Sequence, residues 1–83
     1  MSLTVVVQES ALRALARIRA EDKDAFASIR QALAVLADQP HPDQAVAWGG
    51  SGIYRLHLPG IRVLDEVDAD AATVYVINVA VTM

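Results

Sequence analysis

The residues best suited to chemistry in this sequence are Arg55, His57 and Arg62, which lie in one short stretch. A guanidinium group is permanently charged, and its planar fork of N–H donors matches the geometry of a phosphate. A histidine can take up or release a proton near neutral pH. Gathered on one surface, these three side chains could hold a phosphate chain.

The stretch Gly52–Val67 predicts a β-hairpin that would gather them. Two runs of alternating residues flank a Pro59-Gly60 break, which is the pattern of two strands joined by a tight turn. Successive side chains on a strand point to opposite faces, so Arg55 and His57 share a face. If the loop is only Pro59 and Gly60, His57 lies opposite Arg62, and the three groups are cross-strand neighbours.

Length and composition favour a single domain spanning residues 1–83, with one modest core. The chain is 54% hydrophobic and contains no cysteine, which excludes disulfides and thiolate metal sites. It has no signal-peptide pattern and no run of membrane-spanning length, so a cytoplasmic protein with no membrane partner is expected. The net charge of −3 counts against a free-standing nucleic-acid binder.

The first half of the chain predicts a strand followed by a helical hairpin. Leu3–Gln8 is short and β-branched, and a helix with Ser10 as its N-cap begins at Ala11. A break near Glu21-Asp22 separates this helix from a second one, which Asp22 or Asp24 can cap and which should end before Pro40. The apolar stripes of the two helices are expected to contain Leu12, Leu15, Ile18, Phe26, Ile29, Leu33 and Leu36.

The second half predicts strands. Ala45–Trp48 is a possible short strand, Asp68–Ala72 is a turn, and Thr73–Val81 is a final strand that is apolar on both faces. The expected fold class is α+β, in the order β-α-α-β-β-β with a possible further strand, and the helical hairpin covers one face of a mainly antiparallel sheet.

Strict alternation assigns the two faces of the sheet. The helix-covered face is expected to hold Tyr54, Leu56, Val63, Tyr75 and Ile77. The other face of the last strand would then present Val74, Val76 and Ala80. This apolar patch predicts a partner protein or a second copy of the chain in a homodimer.

Four segments resemble the RelE/ParE toxin superfamily of bacterial toxin–antitoxin modules. Ser10–Leu15 is similar to the start of the family's first helix, and Leu33–Pro40 to the end of its second. Tyr54–His57 and Gly60–Leu64 are similar to its central strands, including a Tyr-Arg-Leu element. Their order and spacing match the family along nearly the whole chain.

The resemblance implies a toxin of a type II toxin–antitoxin system, neutralised by a cognate antitoxin. In the ribosome-dependent ribonuclease branch, Arg55 and His57 fall where two basic residues act on mRNA, and Arg62 falls at the key arginine. The implied enzyme is a metal-independent endoribonuclease, an mRNA interferase without a cofactor. In the other branch, the target is DNA gyrase and there is no nuclease chemistry.

The sequence departs from the family pattern in two places. Thr82 stands where a second catalytic arginine is expected, and no tyrosine follows it. Asp65 replaces an aromatic residue on the predicted core face, where Tyr54 could donate a hydrogen bond to it. Three functions therefore stay open: a ribonuclease whose activity is weak or lost, a gyrase-binding toxin, and an inert member that binds antitoxin and regulates its operon.

The candidate site residues also have structural interpretations. Arg62 could be a solvated residue or form a salt bridge to Glu66 or Glu21, and His57 could be an ordinary exposed histidine. The two histidines and the scattered carboxylates lack the spacing of metal ligands, so no metal site is expected.

Overall fold

The computed structural model describes residues 2–39, 45–47 and 52–82. The elements are β1 (Thr4–Val7), α1 (Glu9–Glu21), α2 (Lys23–Asp38), β2 (Ala45–Ala47), β3 (Ile53–Leu58), β4 (Ile61–Asp68) and β5 (Thr73–Val81). This order confirms the predicted α+β class, in which a helical hairpin separates the first strand from the others. Trp48 lies outside the described residues. No helix in the described ranges is long and apolar enough to cross a membrane.

The strands form one five-stranded sheet in the order β1-β5-β4-β3-β2. β1 runs parallel to β5, and the other neighbouring strands are antiparallel. The β3–β4 hairpin has the predicted register, with His57 opposite Arg62 and Leu58 opposite Ile61. Gly60 in the turn has a φ of 73°, a left-handed conformation that glycine adopts without steric cost.

The observed boundaries of α2 agree with those predicted from the sequence, whereas the observed start of α1 does not. Asp22 caps α2 by accepting a hydrogen bond from the backbone N–H of Ala25 at 3.0 Å, and α2 ends at Asp38 before Pro40. The prediction that Ser10 caps α1 is wrong. Gln8 is the N-cap and its side chain makes no capping bond, while the Ser10 hydroxyl donates to a carbonyl of β5.

Both helices pack against one face of the sheet, and the core between them is built from aliphatic side chains. Its buried members are Ala11, Ala14, Ile18, Ile29, Ala32, Leu36, Leu56, Ile61, Val63, Val74, Val76 and Val79. Leu15, Phe26 and Leu33 are partly buried against this core, as predicted. The prediction for Leu12 is wrong, because that side chain is 54% exposed.

Leu12 is exposed because α1 turns a different set of positions toward the sheet. Ala11, Ala14 and Ile18 recur at helical spacing and are at most 7% exposed. Two small side chains on this face let the helix backbone approach the strands closely. The hydrophobicity of Leu12 favours a core position, but this residue lies at the wrong angle around the helix axis.

The pairing of β4 with β5 contains a β-bulge. Leu64 pairs with Asn78, but the next residue, Asp65, pairs with Val76. Ile77 therefore has no partner on β4, and it also lies beyond the end of the β1–β5 register. In a bulge, two residues of one strand lie opposite one residue of the other. Every side chain after the extra residue therefore points to the opposite face from the one that regular alternation predicts.

This bulge corrects the predicted faces of the last strand. Val74 and Val76 precede it and Val79 follows it, yet all three are buried against the helices. Asn78 and Ala80 are exposed on the opposite face. Strict alternation cannot place Val74, Val76 and Val79 on one face, because it assumes an unbroken ladder.

Two predictions that rely on strict alternation are consequently wrong. Tyr75 and Ile77 do not belong to the buried core. The apolar patch predicted to need a partner is not available either, since Val74 and Val76 are fully buried beneath the chain's own helices. Of the three patch residues, only Ala80 is exposed.

Asp65 is the one charged residue among the buried side chains of the described ranges. It is 0% exposed, and neither carboxylate oxygen has a hydrogen-bond partner there. Tyr54 is its cross-strand neighbour, as the hairpin register predicts, but the expected bond from Tyr54 is not formed. Burial without compensation raises the pKa of Asp65 from 3.8 to about 6, because desolvation disfavours the charged form.

The core assignment predicts different costs for two similar truncations. Ile29→Ala removes a side chain that is 0% exposed and should lower the free energy of unfolding by roughly 2–5 kcal/mol. Leu12→Ala is the matched control on the other helix and should cost less than about 0.5 kcal/mol. Urea unfolding of both variants measures the difference. Equal costs would contradict the helix phases described above.

The buried Asp65 carboxyl predicts a pH-dependent stability. Its pKa is higher in the folded chain than in the unfolded chain, so its contribution is most favourable below pH 4 and is lost as the pH rises through about 6. Asp65→Asn cannot ionise and should not show this loss, so its stability relative to wild type should be higher at pH 7 than at pH 4 by roughly 2–4 kcal/mol. Unfolding of both proteins across this range tests the expectation, and a difference independent of pH would contradict it.

Candidate phosphate-binding face

The candidate site lies on the face of the sheet opposite the core, here called the open face. In the described ranges neither helix packs against it, because both contribute their buried side chains to the other face. Register places Arg55 beside Leu64, and Leu64 beside Asn78. Two residues before Leu64 on β4, Arg62 pairs with His57 of β3 on one side and with Ala80 of β5 on the other.

Two of the three predicted site residues line a shared cavity on this face. The cavity has a volume of about 120 Å³ and is here called the arginine cavity. Its lining residues are Arg55, Arg62, Leu64, Asn78, Val79 and Ala80. The two arginines come from neighbouring strands, and the hairpin register brings them to one place. The arrangement can present two guanidinium groups to a single anion.

The two arginines differ in their surroundings. Arg55 is half-buried, whereas Arg62 is exposed. The guanidinium of Arg62 has no ion pair or hydrogen bond to another residue in the described ranges, so the alternative salt bridges to Glu66 and Glu21 are not formed. An exposed guanidinium without a carboxylate partner keeps its donors for a ligand.

His57 lies on the same face but outside the cavity. It is exposed and directly opposite Arg62, as the hairpin register predicts, yet it is absent from the lining of the arginine cavity. The structure thus brings Arg55 and Arg62 together and leaves His57 at the side. His57 and Arg62 are therefore cross-strand neighbours at the edge of the cavity lining.

Asn78 is a lining residue that the sequence pattern does not single out. Strict alternation places it with Ala80 on the face opposite the helices, and the structure confirms that position beside the arginines. The bulge at Ile77 keeps it there although Val76, two residues earlier, faces the core. The available signal is its polarity, since it is the only asparagine of the chain and lies within an otherwise apolar strand. A neutral amide offers both donors and an acceptor to a ligand.

The charge of the open face changes sign along the strands. The arginine cavity occupies the half nearer the Pro59-Gly60 turn. Farther from the turn, Glu66 on β4 pairs with Ile53 of β3 and Tyr75 of β5, and Asp68 lies at the end of β4. An anionic ligand is therefore favoured at the turn end and repelled at the other.

Thr82 marks the position where the family resemblance implies a second catalytic arginine. Its backbone N–H donates to the carbonyl of Gly60 at 2.8 Å, which holds the end of β5 against the hairpin turn. The position is therefore next to the arginine cavity, but the side chain there carries no charge. The catalytic arginine expected at this point is replaced by a hydroxyl.

Other charged groups in the described ranges are arranged differently. Arg13 forms an exposed ion pair with Glu9 at 2.7 Å on α1, a common surface arrangement. A larger cavity of about 440 Å³ lies where the α1–α2 turn meets β5, and it mixes Arg17 with Glu21 and Asp22. Among the described residues, no cluster of three or more histidines and carboxylates could hold a metal ion.

Comparison with known proteins identifies the class of protein, a toxin of a toxin–antitoxin system, and its family. Residues 5–81 match the family model described as the ParE toxin of type II toxin–antitoxin systems, parDE. The chain belongs to this family, within the RelE/ParE superfamily. None of the curated proteins matches the chain.

Solved structures of RelE toxins share the fold. The chain is similar to the isolated RelE toxin of Escherichia coli, with a TM-score of 0.84, 18% identity, and coverage of 99% of this chain and 86% of that one. For the RelBE2 toxin–antitoxin complex of Mycobacterium tuberculosis, the TM-score is 0.81 and the identity 19%, and the match covers 98% of this chain and 99% of that one. For the archaeal RelE–RelB complex of Pyrococcus horikoshii, the TM-score is 0.83 and the identity 18%, with coverage of 98% of this chain and 96% of that one. Identities this low establish the shared fold alone.

Proposed function

We propose that this toxin inhibits translation by cleaving mRNA on the ribosome. The observation that carries the proposal is the arginine cavity, which Arg55 and Arg62 from adjacent strands both line. A phosphodiester is a ligand that two neighbouring arginine side chains can bind. In the described ranges neither helix covers this face of the sheet, so a long, flexible substrate can lie across the strands.

The proposed reaction is attack of a ribose 2′-oxygen on the adjacent phosphorus. The bond to the 5′-oxygen breaks, and the products are a 2′,3′-cyclic phosphate and a 5′-hydroxyl. A base must take the 2′-hydroxyl proton and an acid must supply a proton to the leaving oxygen. Negative charge accumulates on the phosphate oxygens between these steps and needs stabilisation.

The three residues have different proposed roles. Arg62 has no protein partner in the described ranges and would stabilise the charge developing on the phosphate. Arg55, partly buried at the cavity wall, would hold the phosphate in place. His57 lies opposite Arg62 and would take the proton of the 2′-hydroxyl, while solvent water would supply a proton to the leaving 5′-oxygen. With Thr82 in place of a further arginine, we expect slow cleavage.

A cognate antitoxin is the proposed protein partner. Two of the similar solved structures are complexes of a RelE-type toxin with its antitoxin. The family match spans residues 5–81, so we propose one toxin domain that performs both antitoxin binding and target recognition. A toxin that acts on ribosomes would work in the cytoplasm.

One observation favours a second candidate, a toxin that binds DNA gyrase without nuclease chemistry. The matching family model is that of ParE toxins, and the family resemblance implies DNA gyrase as the target of the branch without nuclease chemistry. Thr82 supports this alternative, because it removes a catalytic charge from beside the arginine cavity. Mapping of mRNA 5′ ends after induction in a bacterial host distinguishes the two candidates. A ribonuclease produces new ends within codons, whereas a gyrase poison induces the DNA-damage response.

The nuclease proposal predicts that Arg62→Ala abolishes growth inhibition and lowers the rate of mRNA cleavage by roughly 100-fold or more, through loss of phosphate charge stabilisation. Arg30→Ala, an exposed arginine on α2, is the matched control and should cleave at the wild-type rate. Both variants should keep the wild-type melting temperature, because both residues are at the surface and neither belongs to the core. Undiminished cleavage by Arg62→Ala would refute the assignment.

A further inference from the structure

A side-chain hydrogen bond ties the start of α1 to the bulge in β5. The Ser10 hydroxyl donates to the backbone carbonyl of Ile77 at 2.6 Å, across a sequence separation of 67 residues. Ser10 is the second residue of α1, so its side chain could have faced solvent. Instead it provides a donor for the carbonyl of a residue that has no partner in the strand register.

The bulge at Ile77 decides what the arginine cavity contains. With Ile77 as the extra residue, the next side chain, Asn78, faces the open side and lines the cavity, while Val79 turns its side chain to the core. If the ladder were regular, Asn78 would share the buried face of Val76. The Ser10 bond therefore stabilises the backbone conformation that delivers an amide to the cavity.

The Asn78 side chain is itself oriented by a hydrogen bond. Its Oδ1 accepts from the backbone N–H of Val79 at 2.9 Å. The acceptor end of the amide is thus engaged, and Nδ2 is the end with two N–H donors. An N–H donor in the same cavity lining as two arginines is the complement of an anion's oxygen atoms.

We propose that Asn78 is a third phosphate-binding residue of the arginine cavity, donating from Nδ2, and that Ser10 is a positioning residue that acts through the bulge. The inference rests on the proposed function in taking a phosphodiester as the ligand. It adds a neutral contact from β5 to the two cationic contacts from β3 and β4. It also links ligand binding to a helix that does not touch the open face.

Phosphate titration of the full chain followed by NMR tests the role of Asn78, with inorganic phosphate as the probe. Because Asn78 is the only asparagine, its side-chain NH₂ signals are readily assigned, and the glutamine side-chain amides serve as internal references. We expect the Asn78 signals to shift in a saturable manner with the same dissociation constant as the Arg62 Nε–H signal. Asn78→Ala should weaken phosphate binding by roughly ten-fold.

A double-mutant cycle tests the role of Ser10. Ser10→Ala should weaken phosphate binding by roughly two- to ten-fold, and Ser10→Thr, which keeps the hydroxyl, should restore most of the affinity. In the Asn78→Ala background, Ser10→Ala should cause no further loss, because it acts through Asn78. Circular dichroism before each titration confirms that the variants are folded. Additive losses, or no loss from Ser10→Ala alone, would overturn the positioning role.

The outcomes separate this inference from the proposed function. If Arg62→Ala abolishes phosphate binding while Asn78→Ala leaves it unchanged, Asn78 is not a ligand and the inference is wrong, although the nuclease proposal stands. If phosphate binds as expected but no mRNA is cut, the inference holds and the nuclease proposal fails. Saturable shifts that are insensitive to Arg62, Arg55 and Asn78 alike would refute the binding site itself.

Discussion

The β-bulge between β4 and β5 governs both the core and the candidate site of this protein. A strand that is apolar at nearly every position can present either set of alternate residues to the core. The extra residue at Ile77 resolves the ambiguity by letting Val76 and Val79 both face the helices, while Asn78 faces outward. One irregular position thus completes the core and shapes the arginine cavity.

In the core that the bulge completes, small side chains allow the helices to lie close to the sheet. Alanines occupy three of its helix positions, at Ala11, Ala14 and Ala32, and its larger members are aliphatic. Small side chains reduce the distance between helix and sheet, which makes the layer thin and its packing sensitive to helix phase. A carboxyl within this layer, at Asp65, has no compensating donor in the described ranges, so the fold accommodates a charge at the expense of stability near neutral pH.

The net charge of the chain differs in sign from the charge at the turn end of its open face. A net charge of −3 is unfavourable for binding an anionic ligand, yet the acidic side chains are not spread evenly. Arg55 and Arg62 lie near the hairpin turn, and Glu66 begins an acidic end of the same face. The attraction of an anion depends on the local field, and sheet register sets that field here by aligning positions from separate strands.

Local rules along the chain account for the features that could be predicted from the sequence, and long-range contacts account for the rest. Turn residues and period-2 alternation suffice for the β3–β4 register and so place His57 opposite Arg62. Capping by Asp22 likewise involves residues close in sequence. The bulge, in contrast, arises where β5 pairs with β4 and receives a hydrogen bond from Ser10, 67 residues earlier, and nothing within β5 marks Ile77 as the extra residue. The prediction for Leu12 is wrong for the same reason. The packing of α1 against β5, at the other end of the chain, decides which side of the helix faces the sheet. Alternation describes a strand in isolation, whereas the facing of its side chains is settled by its neighbours.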